Sequence, residues 1–293
     1  MQKIALIGAN GQLGSDLVEA FASRNEELIK LTHANIEITD HTQTRQKLTN
    51  LAPSVVINTA AYHRVDEMEE NIIRAFDINA AAVRNLAQIC RDLDATLVHL
   101  STDYVFGGDL SRNTPCPETT PPFPINVYGV SKLAGEYSVR SITPKHYVVR
   151  VSGLYGVAGS SGKGGNFVEL MLRLAHEGKP IKVVNDQRLT PTSTHDLAQK
   201  ITELLDSGAY GLYHMTSTGD CTWYEFAGKI FELCGLSPDL SPTATGSFGE
   251  KATRPAYSVL DNAALRSTGL TDMRHWHEAL RDYLIKKGHI AQP

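Results

Sequence analysis

Tyr128 and Lys132 stand four residues apart in Tyr128-Gly129-Val130-Ser131-Lys132, so on a helix they share one face about a turn apart. An ammonium beside a phenol favours the phenolate and lowers its pKa, which suits proton delivery near neutral pH. A second pair of this spacing, Tyr283 and Lys287, lies in a segment that reads as a terminal helix, where a packed tyrosine next to a solvated lysine explains it. Position separates the two. Tyr128 follows a β-rich run that ends in Leu100-Ser101-Thr102-Asp103, and in a doubly wound sheet ligands gather at the carboxyl ends of the strands. Hydroxyl, phenol and ammonium therefore converge on one place.

What they converge on is suggested by the chain's start. Gly8-Ala9-Asn10-Gly11-Gln12-Leu13-Gly14 follows one strand-like run and opens a helical one, a GxxGxxG spacing. Glycines there permit a tight turn and close backbone approach to a pyrophosphate, and the helix N-terminus offers N–H donors to the anion. This reads as a dinucleotide loop. An acidic residue about 20 positions on would take the adenosine ribose hydroxyl and indicate NAD. The second strand ends instead in Leu31-Thr32-His33-Ala34, with Glu37 and Asp40 only later, so the reading favours NADPH, with NADH as the alternative and Glu37-Ile38 flanking the adenine. No arginine stands at that strand end.

The elements that must position these groups follow from periodicity. Strands are expected at Lys3–Ile7, Glu27–Leu31, Val55–Ile57, Thr96–Leu100 and Tyr147–Val151, alternating with helices over 11–23, from Asp40 with a capping box to Gln43, and over 70–93. Apolar runs of this kind suit parallel strands buried on both faces. The fold class is α/β, a doubly wound, Rossmann-like parallel sheet. Asn58 ends the third strand and Asn79 falls within the long helix; each reads either as a satisfied buried amide or as part of the site. Residues 107–124 form a long Gly-, Ser- and Pro-rich loop, a candidate mobile lid, and Val157–Gly165 is similarly loop-like. A second capping box, Thr222 with Glu225, precedes a helix to Cys234, and a closing helix spans Asp272–Lys287, stopped by Gly288.

Composition removes other classes. The 293 residues allow one large domain or two modest ones, able to bury about three-quarters of the unfolded surface. The motifs divide them into a dinucleotide-binding part, 1–150, and a smaller C-terminal part, 151–293, that binds substrate and returns some segments to the first. A net charge of −4 disfavours nucleic acid as a partner. No apolar run has the length of a membrane span, and neither CxxC spacing nor signal peptide is present, so the chain reads as cytoplasmic with buried free thiols at Cys90, Cys116, Cys221 and Cys234. No metal is expected: His275 and His277 face different sides of a helix, and His195 before Asp196 reads as structural.

Taken together, these motifs resemble the extended short-chain dehydrogenase/reductase family over most of the chain. The match rests on the glycine loop, Asn58-Thr59-Ala60-Ala61, Tyr62-His63-Arg64-Val65-Asp66, Ser101 to Phe106, Asn126 to Glu136, Gly162 to Val168, Asn185-Asp186-Gln187 and Arg254-Pro255. The resemblance implies reduction of the C4 carbonyl of a nucleotide-linked 4-keto-6-deoxy sugar, dTDP-4-dehydrorhamnose first, by hydride from NAD(P)H. Tyr128 would be the acid, Lys132 would hold the nicotinamide ribose, and Thr102 would bond the carbonyl. Gly8, Asn10, Gly11, Gln12, Leu13, Glu37, Ile38, Ala60, Ala61, Tyr62 and Asn79 would line the cofactor. Val65, Asp103, Tyr104, Asn166 and Arg254 would meet the substrate. A homodimer is a further expectation.

Dehydratases of this superfamily carry an Asp-Glu pair after the threonine, whereas here Asp103 precedes Tyr104, which favours plain reduction. Two residues depart from the reductase pattern: Gly153 stands where a tryptophan is usual, and Leu189 where a glycine is common. The alternatives are an epimerase with tightly bound NAD and a non-catalytic nucleotide-binding subunit.

Overall fold

The computed structural model describes residues 2–159 and 165–292. Five strands, β1 (Lys3–Ile7), β2 (Glu27–Leu31), β3 (Val55–Asn58), β4 (Thr96–Thr102) and β5 (His146–Val151), pair in parallel in the order β2-β1-β3-β4-β5. A sixth, Gly211–His214, joins in parallel beyond β5. All seven residues of β4 are buried, as a central strand covered on both faces requires. One face packs Leu17 and Phe21 of helix α1 (Gln12–Phe21) with Leu197 and Ile201 of the Thr194–Ser207 helix, and the other packs Leu48 of helix α2 (His41–Leu51) with Leu86 and Ile89. The later half of the chain therefore completes both the sheet and one of its layers. A third core, around Tyr155, Phe226 and Trp276, belongs to that later half alone.

The chain steps from β1 outward to β2 and then returns to β3 on the other side of β1. The carboxyl ends of β1 and β3 are thus the switch point at which a ligand binds in such a sheet.

Several expected elements differ. The helix expected over 70–93 runs unbroken from Ile72 to Asp92, but through a π-helical turn, Asp77–Ala81, set between Ile72–Phe76 and Ala82–Asp92, and a short helical turn, Val65–Met68, precedes it. The π turn carries Asn79, whose side chain donates to the Tyr62 carbonyl (2.9 Å) and accepts from the Tyr62 amide (3.0 Å). A tertiary bond from the loop after β3 thus accompanies the local change of helix type. Asp40 caps α2 by accepting from the Gln43 amide, but the Gln43 side chain accepts from the Glu37 amide, so only half of the expected box forms. The closing helix runs Trp276–Lys286, with His275 rather than Asp272 at its start, because the His275 ring accepts from the His277 amide. The capping box of Thr222 and Glu225 is complete.

Residues 107–124 are pinned at their middle: Cys116 exchanges backbone bonds with Val259 and Asp261, and Glu118 accepts from the His214 and Ala264 amides. These anchors make the expected lid a fixed wall at that point. Of the expected loop Val157–Gly165, residues 160–164 lie outside the described residues. The four cysteines are free, three of them buried. Among the described residues no helix is long and apolar enough to cross a membrane.

Candidate active site

The Val127–Ile142 helix aims Tyr128 and Lys132. Asn126 caps it by accepting from the Gly129 amide (2.8 Å), and Glu69 accepts from the Val127 amide (2.9 Å). Gly129 is required by packing, since a Cβ there would lie 2.1 Å from the Tyr104 carbonyl oxygen. The Tyr104 ring meets Tyr128 edge-on, with centroids 5.6 Å apart.

Thr102 closes β4, its hydroxyl donating to Asp103 (3.1 Å) and accepting from the Tyr104 amide (3.2 Å). Asp103 is buried and also accepts from Ser152 (2.9 Å) and Ser258 (2.6 Å). Burial raises its pKa, and the three hydroxyls pull it back. Asp103 is expected to touch substrate. The structure instead seals it among hydroxyls from three segments, where it fixes the orientation of Thr102.

Lys132 is fully buried and donates to the Leu100 carbonyl (2.6 Å). Burial lowers its pKa to about 8, against the opposing charge of Glu136 one turn along. Burial also pushes the Tyr128 phenol up, while the Thr102 hydroxyl beside it acts in the opposite sense. The expected lowering of the phenol by Lys132 is not what this arrangement gives, because burial dominates and the ammonium is turned to the strand carbonyl. A phenol that keeps its proton at neutral pH is still the form an acid needs.

Beneath them, Glu136 and Arg150, both fully buried, form a bidentate pair (2.7 and 2.9 Å). Ser101 donates to the same carboxylate, which removes it from the reacting side. Arg150 also meets His214 (3.3 Å), whose other ring nitrogen lies on the Cys116 carbonyl (2.9 Å).

The glycine loop fits a dinucleotide. Gly8 has φ +82, and a Cβ on it would lie 2.5 Å from Thr59 Oγ1; a Cβ on Gly14 would lie 2.1 Å from the Gly8 carbonyl. Helix α1 opens with no side-chain cap and no acidic residue in its first turn, leaving its N-terminal donors to an anion. Gln12 donates to the Leu154 carbonyl (3.1 Å), while its Oε1 is buried without a protein partner. Asn10 is exposed at the turn, and Gly11 bonds back to Gly8. The Leu13 and Ile38 side chains lie in the core, so their backbones are what they can offer a ligand. Ala60 is set by a bond from its amide to Asn58, and Ala61 and Tyr62 follow at the end of β3. Glu37 accepts from the Thr39 amide and hydroxyl and pairs with His33 (2.8 Å); burial opposes its charge, but these donors hold it below the usual carboxylate range.

Sequence reading missed Arg74. Its guanidinium lies 5.1 Å over the Tyr62 ring, and its charge reaches Glu37. Arg74 sits on the helical turn after β3, not at the end of β2.

Among the residues expected to meet substrate, Arg254 donates to Asp66 (2.6 Å) and lies beside the Tyr104 phenol, with half-buried Val65 next to Asp66 in the chain. Asn166 does other work than expected. Its carbonyl caps the Phe167–His176 helix, and its amide donates to the Gly156 carbonyl and the Tyr283 hydroxyl (2.9 Å each). That leaves Tyr283 a packing residue, as its place in the closing helix suggests. The two departures from the reductase pattern touch each other: Gly153 has φ +54, and a Cβ there would lie 2.8 Å from Leu189 Cδ1. A tryptophan at 153 does not fit this backbone. Among the described residues Asp16, Glu19 and His195 form the single cluster of metal-ligating side chains, and its two carboxylates bond Thr194 and Lys286.

Residues 1–288 match the model of the RmlD substrate binding domain. The chain belongs to this family. Among its relatives are the spore coat polysaccharide biosynthesis protein SpsK of Bacillus subtilis, 39% identical with 98% of each chain covered, and a dTDP-4-keto-6-deoxy-D-glucose reductase of Streptomyces niveus, 40% identical over 93% of each. A dTDP-4-dehydrorhamnose reductase from Bacillus anthracis, solved in complex with NADP, shares 39% identity and a TM-score of 0.92 over 98% of this chain and 100% of that one. The RmlD-family fold thus carries Thr102, Tyr128 and Lys132 to the carboxyl end of β4, the strand next to β3 at the switch point.

Proposed function

We propose that the protein is a cytoplasmic reductase that uses NADPH to convert the C4 ketone of a dTDP-linked 4-keto-6-deoxy sugar to the alcohol, dTDP-4-dehydrorhamnose being the first candidate. The observation that carries this reading is the placement of Thr102, Tyr128 and Lys132 at the carboxyl end of β4, beside a glycine loop with open helix donors. NADPH supplies the hydride to the carbonyl carbon. The Tyr128 phenol gives its proton to the oxygen that becomes the hydroxyl, and the Thr102 hydroxyl, oriented by Asp103, holds that oxygen. Lys132 holds the nicotinamide ribose, and Arg254 meets the diphosphate. Arg74 supplies the cation that the sequence lacks at the end of β2, suiting a 2′-phosphate.

Simple reduction is supported over dehydration by Asp103, which is sealed among hydroxyls, and by Tyr104 in the position next to it. Exposed Ile73, Val130 and Tyr137 support a homodimer built on these helices, which sedimentation tests. The deciding experiment follows NADPH oxidation with dTDP-4-dehydrorhamnose and with UDP- and GDP-linked keto sugars. Turnover with the dTDP sugar is expected. NAD that stays bound through dialysis, with interconversion of sugar epimers, would replace this reading with the epimerase.

A further inference from the structure

The acidic turn Val65-Asp66-Glu67-Met68-Glu69-Glu70 is absorbed by neither the proton transfer nor the cofactor loop, yet it joins two segments far apart in sequence. One Asp66 oxygen accepts from the Lys251 and Ala252 amides (3.1 Å each), and the other accepts from Arg254 (2.6 Å). Glu69 accepts from the Val127 amide at the start of the catalytic helix. The residue before it, Asn126, donates to the Thr253 carbonyl (2.8 Å), closing the circuit. The Lys251–Arg254 strap is thus fastened at each of its residues, three of them to Asp66 and Thr253 to the cap of the helix that carries Tyr128. Arg254 in turn lies beside Tyr104, whose ring packs on Tyr128.

From this geometry we infer that Asp66 is a positioning residue for substrate binding: it docks the Lys251–Arg254 strap and points the Arg254 guanidinium toward the anionic part of the nucleotide sugar. The inference rests on the reading of Arg254 as the diphosphate contact. The two carboxylate oxygens do different jobs. An Asn at 66 keeps an oxygen for the two strap amides but loses the charge that holds Arg254, and an Ala loses both.

The test compares wild type, Asp66→Asn, Asp66→Ala, Arg254→Gln and the Asp66→Asn/Arg254→Gln double variant. The readouts are KM and kcat for the keto sugar, dTDP affinity by calorimetry and NADPH affinity by fluorescence. Asp66→Asn is expected to raise KM and weaken dTDP binding at least about tenfold, the scale of a charged hydrogen bond, with kcat within about threefold. NADPH affinity and Tm should stay near wild type. Asp66→Ala should lose more, and the double variant should lose no more than Arg254→Gln alone. Losses that multiply, or unchanged dTDP affinity in Asp66→Asn, would overturn the assignment. A wild type that binds dTDP but reduces no keto sugar defeats the reductase reading and leaves Asp66 to be judged on dTDP affinity. One that binds no nucleoside diphosphate defeats the anion seat and this inference with it.

Discussion

The wall that carries Tyr128 and the strap that carries Arg254 meet at Tyr104, and they are held by opposite kinds of interaction. Behind Tyr128 every charged group is buried and matched: Lys132 on a strand carbonyl, Asp103 among hydroxyls, Glu136 against Arg150. Around Arg254 the pairs face solvent, the Asp66 side chain being 41% exposed and its Arg254 partner 18%. Buried networks of this kind fix geometry and tolerate little change, whereas half-exposed pairs are weaker, screened by salt and open to substitution. The contrast sets fully desolvated charges behind Tyr128 against solvent-screened ones around Arg254.

The largest effect should come from the sheet side. Tyr128→Phe is expected to lower kcat about 10²- to 10⁴-fold, the usual contribution of a positioned acid, with NADPH affinity unchanged in a fluorescence titration. A kcat within threefold of wild type would remove Tyr128 from the reaction. Glu136→Gln tests the floor beneath it. It leaves Arg150 buried without its counter-charge, and denaturant unfolding should show a loss of about 3–5 kcal/mol, as for other broken buried pairs. A loss below 1 kcal/mol would mean that the buried network does not brace this wall.

How much of this was legible depended on whether the cause was local. The doubly buried strands announce themselves in Val55-Val56-Ile57 and Thr96–Leu100, and the glycine loop and the Tyr-Lys pair are contiguous motifs. The sixth strand, Gly211–His214, is four residues long and has no strong apolar run, so only its pairing with β5 identifies it. The π turn goes with Tyr62 bonding Asn79, 17 residues away, and the Val127 amide at the start of the Tyr128 helix is met by Glu69, 58 residues away. Neither is encoded in a window of sequence. Asn166 is a local case, since Glu169 three residues later completes the pattern of a helix cap.

Two smaller effects separate the walls by condition. Lys132 has a folded pKa lowered by burial to about 8, so its charge is present below that pH and lost above it. If the charge holds the cofactor ribose, kcat/KM for NADPH should fall as pH rises through about 8; a flat profile to pH 9.5 would contradict the role. Raising ionic strength from about 0.05 to 0.5 M should act on the other wall, increasing the sugar-nucleotide KM about three- to tenfold with little change in kcat, because exposed charges are screened over a few ångströms at high salt. If kcat moved and KM did not, the division between the walls would be wrong.

The smallest expected effect concerns cofactor choice, which lies at the far end of the sheet wall and, unlike its centre, rests on exposed charge. Glu37 is held as an anion by Thr39 and His33, an arrangement that by itself would favour an unphosphorylated ribose. Arg74 is the neighbouring cation able to offset it. An exposed pairing of this sort contributes little, so Arg74→Ala should weaken NADPH binding only about two- to fivefold and leave NADH binding unchanged. The ratio of the two affinities is the informative quantity, because a general disturbance of Tyr62 and the adenine site would weaken both cofactors together. A parallel loss would make Arg74 a packing partner of Tyr62, and the 2′-phosphate would then have to be met by His33 and backbone donors.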